Sequence, residues 1–306
     1  MPGTVFVTGA SGFVGSAVVE ELLARGYSVN ALVNRRVIAA AGGRVHSFAG
    51  GVFDEKILEE GMRGCAAVIH LIGIIFEHAA SGITFERMHV EATKNVVDAA
   101  VHGGVKRYVH MSALGTRPDA VSGYHKTKYL AEQYVRGSGL DWTIFRPSMI
   151  HGPRGEFMML VNRWVRGISP PFFAMPYFKT KKRGGIAEIQ PIYVKDVARA
   201  FVDALEKPQT IGEIYPIAGP ERFTWPKFYN VTSRAILGRG KRVLAIPAEY
   251  ARVLAKWLPH LTPFNQDQVI MSQEDNTADL TKFKKDFGWE LKKLEETVRG
   301  YGGQLR

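Results

Sequence analysis

Apolar residues follow two rhythms through the first two hundred positions of this 306-residue chain. Short unbroken apolar runs alternate with longer stretches in which apolar residues recur every three or four positions, the spacing of one helix face. The runs predict strands at Val5–Thr8, Ser28–Val33, Val45–Phe48, Ala66–Leu71, Arg107–Ser112 and Trp142–Arg146. The stretches predict helices at Ser16–Arg25, Asp54–Met62, Phe85–His102 and Tyr124–Ser138, three of them followed by glycine. Strands that are apolar throughout are buried on both faces. Alternation of such strands with helices therefore implies a parallel sheet covered on each side.

Beyond residue 150 the rhythm is less regular. Phe157–Arg166 reads as a short helix, and Val194–Leu205 as a helix that returns to the sheet. Phe223–Gly238 and Ala248–Trp257 read as C-terminal helices. Residues 169–185, rich in proline, aromatics and bases, read as a loop or lid, with Phe172, Phe173, Met175, Tyr177 and Phe178 as its apolar side. The pattern predicts a sheet domain from residues 1–150 plus about 190–205, and a smaller lobe from 151–189 and 206–306 that takes a substrate or a partner.

Composition bounds the class. At 46% hydrophobic, the chain can bury a large core. Its longest apolar run, Ala66–Phe76, is broken by His70 and Gly73 and falls short of the roughly 18 residues of a spanning helix. The N-terminus shows no basic segment ahead of an apolar one, so no leader is expected. Cys65 is the only cysteine, which excludes an intramolecular disulfide and argues against a cysteine-based metal site. No metal is expected. These features point to the cytoplasm. Charge adds a second expectation, peripheral contact at the inner face of a membrane. Residues 1–150 hold 15 Lys/Arg against 13 Asp/Glu, whereas residues 151–306 hold 25 against 16. The cluster Lys179, Lys181, Lys182 and Arg183 could meet a membrane surface or a protein complex. No nucleic-acid signature accompanies it, so nucleic acid is disfavoured.

Chemistry first enters at Thr8-Gly9-Ala10-Ser11-Gly12-Phe13-Val14-Gly15, three glycines between an apolar strand and an apolar helix. In that setting a glycine-rich turn marks a dinucleotide site. The first glycine makes the turn, the second admits the pyrophosphate and the third packs helix on strand. The helix N-terminus adds free N–H groups and a positive dipole end. The fold expected is thus an α/β Rossmann fold, a doubly wound parallel sheet with a smaller C-terminal lobe. Gly9, Ser11, Gly12, Phe13, Val14 and Gly15 are its expected phosphate residues. After the second strand the chain reads Asn34-Arg35-Arg36, with no acid. An acid there would meet the ribose of NAD, while arginines suit the extra phosphate of NADP. NADP(H) is therefore expected, with NAD(H) less favoured.

Tyr124-His125-Lys126-Thr127-Lys128 opens a predicted helix and sets Tyr124 and Lys128 four apart on one face. A nearby ammonium favours phenolate over phenol, so Tyr124 could exchange a proton with a substrate oxygen while a nicotinamide exchanges a hydride. Ser112, at the end of a strand, could orient that oxygen. With these residues the chain resembles the short-chain dehydrogenase/reductase superfamily, in its extended or atypical branch. The resemblance implies that Ser112, Tyr124 and Lys128 are catalytic and that Lys128 also binds the cofactor. It implies that Leu71, Ile72 and Gly73 pass the cofactor, and that the loop carrying Pro147 and Ile150 runs beside the nicotinamide.

His110-Met111-Ser112-Ala113-Leu114-Gly115 followed by Tyr124 to Lys128, Gln190-Pro191-Ile192-Tyr193-Val194-Lys195-Asp196-Val197-Ala198, and the tail from Leu261-Thr262-Pro263 to Asn276 resemble more closely the 39-kDa (NDUFA9-type) accessory subunit of respiratory complex I and its bacterial relatives. The resemblance implies a reductase-like protein of a group that can bind NADPH tightly in a structural or regulatory role, often near a membrane. Two positions depart from the extended pattern. His89 stands where an asparagine is usual, and the nearest acid to meet adenine is Asp54 rather than a residue near Gly51. The reading expected to lead is an NADP(H)-dependent oxidoreductase acting on a small-molecule carbonyl or hydroxyl. The alternatives are a non-catalytic NADPH-binding accessory or assembly subunit of a respiratory-complex-like assembly, and an NAD(P)-dependent sugar-nucleotide epimerase or dehydratase.

Overall fold

A computed structural model describes residues 3–34, 43–179, 186–257, 264 and 266–305. The chain divides into two compact units, residues 1–147, 195–216 and 281–288, and residues 148–194, 217–280 and 289–306.

The first unit is built on β1 (Thr4–Thr8), α1 (Phe13–Ala24), β2 (Ser28–Val33), β3 (Val45–Ala49), α2 (Glu55–Met62), β4 (Ala67–His70), α3 (Ala92–His102), β5 (Arg107–Met111), α4 (Gly123–Gly137) and β6 (Asp141–Pro147). One seven-stranded sheet takes the order Glu213–Ile217, β6, β5, β4, β1, β2, β3, and β1 to β6 pair in parallel. This is the doubly wound Rossmann-type sheet. Buried residues from α2, α3 and α4 (Leu58, Met62, Val96, Val97, Val135) pack with Phe6, Val68, Tyr108 and Ile144 of the strands. On the other face, Phe201 of the helix Val194–Leu205 stacks on Phe145, and Arg25 at the end of α1 pairs with Asp203 of that helix.

The structure departs locally from the pattern at three places. The first helix starts at Phe13, because Gly12 has extended backbone and its neighbours bury themselves at once. The predicted Phe85–His102 helix divides into a wide π-turn, Glu86–Glu91, followed by α3. The strand Glu213–Ile217 escapes the pattern because it contains Pro216, which a ladder tolerates only at a sheet edge, and it is the edge strand.

The second unit has its own core. Met158, Val161, Trp164 and Val165 of the helix Glu156–Arg166 pack with Phe223, Phe228, Tyr229, Leu294, Val298 and Tyr301. The segment expected as a lid contains the strand Met175–Lys179, paired in parallel with Val243–Pro247. Met175 is fully buried in the core, so it is not a lid residue, while Phe172 and Phe173 are exposed. Gln190 ties this unit together. Its side chain donates to the Gly219 carbonyl at 2.7 Å and accepts from the Ala278 N–H at 2.9 Å.

Candidate functional site

Strand order reverses at β1, which lies between β4 and β2. In an open parallel sheet that is where a crevice forms beyond the strand ends, so the turn leaving β1 is placed to meet a ligand. Gly9 takes φ +68, a left-handed value that favours glycine. A Cβ on Gly15 would lie 2.0 Å from the Gly9 carbonyl oxygen and 2.8 Å from Ala10 Cα. The start of α1 is thus pressed onto the turn with no room for a methyl group. Gly12 caps α1 without a side-chain bond, which leaves the N–H groups of Phe13, Val14 and Gly15 free of capping. Ser11 and Gly12 are exposed beside them. Bare N–H groups at a helix N-terminus, reached over a glycine, fit a pyrophosphate.

The exit of β4 lies against the same turn. Thr8 Oγ1 accepts from the Leu71 N–H at 3.3 Å, and a Cβ on Gly9 would touch the Leu71 backbone at 3.3 Å. Leu71, Ile72 and Gly73 therefore run beside Gly9. Gly73 in turn covers Lys128, since a Cβ there would come 2.8 Å from Lys128 Nζ.

Ser122 caps α4 by accepting from the His125 N–H at 3.2 Å. The helix then carries Tyr124 and Lys128 one turn apart. Lys128 is buried, and Nζ donates to the Met111 carbonyl at 3.1 Å, next to Ser112. Burial pushes its pKa down to about 8, against the opposing pull of Glu132. Glu132 is fully buried one turn further along α4, where Arg146 of β6 donates to both its carboxylate oxygens from one guanidinium edge, Nε at 2.8 Å. Ser112 is buried, with Oγ 3.3 Å from Thr116 Oγ1. Tyr124 is half-buried, its ring edge-on to Phe85 and His89 at 5.8 and 5.3 Å. Burial pushes its phenol up to about 12. The lysine thus does not bring the tyrosine down in the ligand-free chain.

Three histidines surround Lys128. His70 at the end of β4 lies 2.7 Å from Thr8 Oγ1 through Nδ1 and 3.2 Å from Thr93 Oγ1 through Nε2. His110, its register partner on β5, stacks on it at 5.4 Å, and neither nitrogen of the His110 ring has a hydrogen-bond partner among the described residues. His89, in the π-turn, lies 2.8 Å from Thr127 Oγ1 through Nδ1 and 3.1–3.2 Å from the Ile74 backbone through Nε2. Either neutral tautomer of His89 satisfies these bonds. Burial first, then the Lys128 charge, pushes His70 down to about 3 and His89 to about 2, and burial pushes His110 well down.

Histidines depressed in the folded state take up protons more readily when unfolded. Their stability contribution is complete above about pH 6.5 and falls as pH drops toward the folded values, by about 1.4 kcal/mol per pH unit for each group. Urea unfolding midpoints measured from pH 7 to pH 4.5 are expected to fall steeply. His110→Phe should flatten that fall and raise the pH 7 midpoint. An unchanged slope would contradict the role of buried neutral histidines.

The structure thus places Gly9–Gly15, Leu71–Gly73, Ser112, Tyr124, Lys128 and Pro147 in the first unit. Ile150 belongs to the second unit, in a two-residue strand paired with Ile192–Tyr193. Arg35 and Arg36 lie outside the described residues, as do Lys181, Lys182, Arg183, Leu261, Thr262 and Pro263. Asp54 caps α2, accepting from the Ile57 N–H. Sequence reasoning missed the Glu132–Arg146 pair. Its one available signal was an acid four residues after Lys128. No group of metal-ligating side chains occurs among the described residues.

The protein family described as NAD(P)H-binding matches residues 9–159. Subunit 9 of the NADH dehydrogenase (ubiquinone) 1 alpha subcomplex, mitochondrial, of Arabidopsis thaliana is 32% identical, over 82% of this chain and 62% of its own length. The chain thus spans less than two thirds of that relative. Cinnamoyl-CoA reductase 1 of Oryza sativa is 30% identical, over 68% of this chain and 69% of its own length. Among solved structures, MoeE5 in complex with UDP-glucuronic acid and NAD has the same fold, with a TM-score of 0.76, 20% identity and coverage of 98% of both chains.

Two expectations are corrected by these findings. NADP(H) in preference to NAD(H) does not stand. MoeE5 and the Bordetella bronchiseptica enzyme WbmH (TM-score 0.74, 23% identity, 97% of both chains) are both described with NAD. The preference rested on Arg35 and Arg36 following the second strand and on the lack of an acid there. The cytoplasmic location does not stand either, because the subunit 9 relatives are named as mitochondrial. A lone cysteine excludes an internal disulfide in any compartment, so it never separated the two. No helix among the described residues is long and apolar enough to cross a membrane. By the rice relative, the matched NAD(P)H-binding region and the doubly wound sheet, the chain belongs to the NAD(P)-binding short-chain dehydrogenase/reductase superfamily, in its extended or atypical branch, with relatives of the complex I subunit 9 type.

Proposed function

We propose that the chain holds a nicotinamide dinucleotide as a resident group and serves as an NAD(P)(H)-binding accessory or assembly subunit of a respiratory-complex-like assembly. The observation that carries this reading is the state of Lys128. Its buried ammonium has three N–H donors and, among the described residues, one hydrogen-bond acceptor, the Met111 carbonyl. A buried charge with unfilled donors is costly, and ligand hydroxyls at that point would fill them, which favours the filled state over the empty one. Gly9, Ser11, Gly12, Phe13, Val14 and Gly15 would hold the pyrophosphate. Leu71, Ile72 and Gly73 would flank the ligand, Lys128 would bind its ribose, and Pro147 would lie toward its reactive ring. The bound group supplies a ring that takes or gives a hydride. The subunit 9 relatives, similar over most of this chain, support the same reading.

A second reading is favoured by one observation, that Ser112, Tyr124 and Lys128 are all present in one unit. In it the chain is an oxidoreductase, or an epimerase or dehydratase, acting on a carbonyl or hydroxyl compound. Tyr124 moves the proton, Ser112 orients the substrate oxygen and Lys128 favours the phenolate. With the phenol up at about 12, the tyrosine needs ligand binding to become a base at neutral pH.

Lys128→Met separates holding from folding. It removes a buried cation, so unfolding stability is expected to stay level or rise, while dinucleotide affinity measured by calorimetry falls about 10- to 100-fold, or roughly 1.4–2.8 kcal/mol. Unchanged affinity would contradict the role given to Lys128. Turnover of a carbonyl or alcohol that Tyr124→Phe abolishes, with the dinucleotide still bound, would replace the first reading by the second.

A further inference from the structure

The helix Ala248–Trp257 is built inside out. Its inward side is made of the buried Ala248, Ala251 and Ala255, which at 100° per residue fall within an arc of about 60°. Its large apolar residues point the other way. Tyr250, Val253, Leu254 and Trp257 fall within about 100° of one another. They are 70%, 57%, 44% and 73% exposed. A surface helix ordinarily turns its large apolar residues to the core. Scattered exposed apolar residues are unremarkable, but four on one helical face form a patch that calls for an occupant.

Charge and side-chain chemistry say which. Arg252 and Lys256, both exposed, project from one flank, between the alanine face and the apolar stripe. The Lys256 ammonium lies 5.7 Å from the Trp257 ring centroid. Lys179, also exposed, pairs in register with Pro247, immediately before the helix. Glu249, the one acid of the helix, falls on that same flank beside Lys256, which leaves the flank two cations against one acid. The stripe therefore has an aromatic ring with a polar edge at each end, aliphatic groups between them and cations alongside. This is the arrangement that lies in the plane of a bilayer interface, rings at headgroup depth and cations on phosphates.

We propose that the Tyr250–Trp257 face of this helix seats in the headgroup region of an anionic lipid surface, with Arg252, Lys256 and Lys179 on the lipid phosphates. The inference stands apart from the dinucleotide site and holds whether or not that site turns over.

The test is co-sedimentation of the full chain with phosphatidylcholine vesicles made with and without phosphatidylglycerol. Binding is expected to the anionic vesicles only and to weaken at high salt. The double variant Leu254→Ser, Trp257→Ser is expected to lower the partition coefficient at least about 10-fold, because it removes two of the four buried anchors. Both side chains are exposed, so dinucleotide binding and helix content should be unchanged, which shows that the variant folds. Arg252→Glu with Lys256→Glu should abolish the preference for anionic lipid. Wild-type protein that binds neither vesicle overturns the proposal, as does a double variant that binds like wild type. A concentration-dependent dimer lost in the double variant also overturns it, by assigning the stripe to a second copy.

Discussion

Gly15→Ala is expected to abolish dinucleotide binding and to cost the fold about 2–3 kcal/mol, the upper range for forcing one methyl group into a packed site. The added carbon would lie 2.0 Å from the Gly9 oxygen and 2.8 Å from the Gly9 carbonyl carbon and Ala10 Cα. All three are backbone atoms that no rotamer change can move. Either α1 lifts from the turn or the turn opens, and both take the Phe13, Val14 and Gly15 N–H groups away from a common target. A weakening of at least 100-fold in calorimetry corresponds to about 2.8 kcal/mol or more. Gly12→Ala provides the contrast. Its added carbon would sit 3.1 Å from the Gly9 oxygen, a tight contact that a shift of a few tenths of an ångström relieves. Stability should therefore survive Gly12→Ala better than Gly15→Ala. Equal stability losses for the two would show that the close approach of α1 is not what demands glycine.

Glu132→Ala is expected to destabilise the first unit by about 3 kcal/mol, the low end for breaking a buried pair. Glu132 is fully buried and serves two cations, Arg146 through a bidentate bond and Lys128 through its charge. Removing it strands both. The guanidinium side chain is 22% exposed and regains some water, which keeps the loss from the top of the range. Lys128 has no such relief. Its pKa should fall further below about 8, so more of it is neutral at pH 7. Urea unfolding reads the first effect, and the pH dependence of dinucleotide affinity reads the second, as a downward shift of the alkaline limb. A variant that unfolds at the wild-type midpoint would show that Arg146 and Lys128 are stabilised elsewhere.

What could be read from the sequence was local. An apolar run, three glycines and a helical period occupy residues 4–24 without interruption, and the structure puts β1, its turn and α1 there. Tyr124 and Lys128 were legible for the same reason, since a helix converts a spacing of four into a shared face. What stayed hidden depends on register between strands. His70 and His110 are 40 positions apart in the chain and become neighbours only because β4 pairs with β5 at that register. Glu132 meets Arg146 only because α4 packs beside β6. The strand Glu213–Ile217 was concealed by Pro216, whose cost vanishes at a sheet edge. The preference for NADP failed differently. Arg35 and Arg36 follow the second strand and have the right charge for a phosphate, but a charge near the ribose end does not by itself separate two ligands that differ by one phosphate group.

The central claim is that the β1–α1 turn and Lys128 hold a nicotinamide dinucleotide. Mass spectrometry of the small molecules released when the gently purified chain is denatured tests it most directly. About one equivalent of NAD, NADH, NADP or NADPH per chain is the predicted result, absent from Gly15→Ala and reduced in Lys128→Met. A chain that releases no dinucleotide, and whose unfolding midpoint does not rise with any of the four, would contradict it.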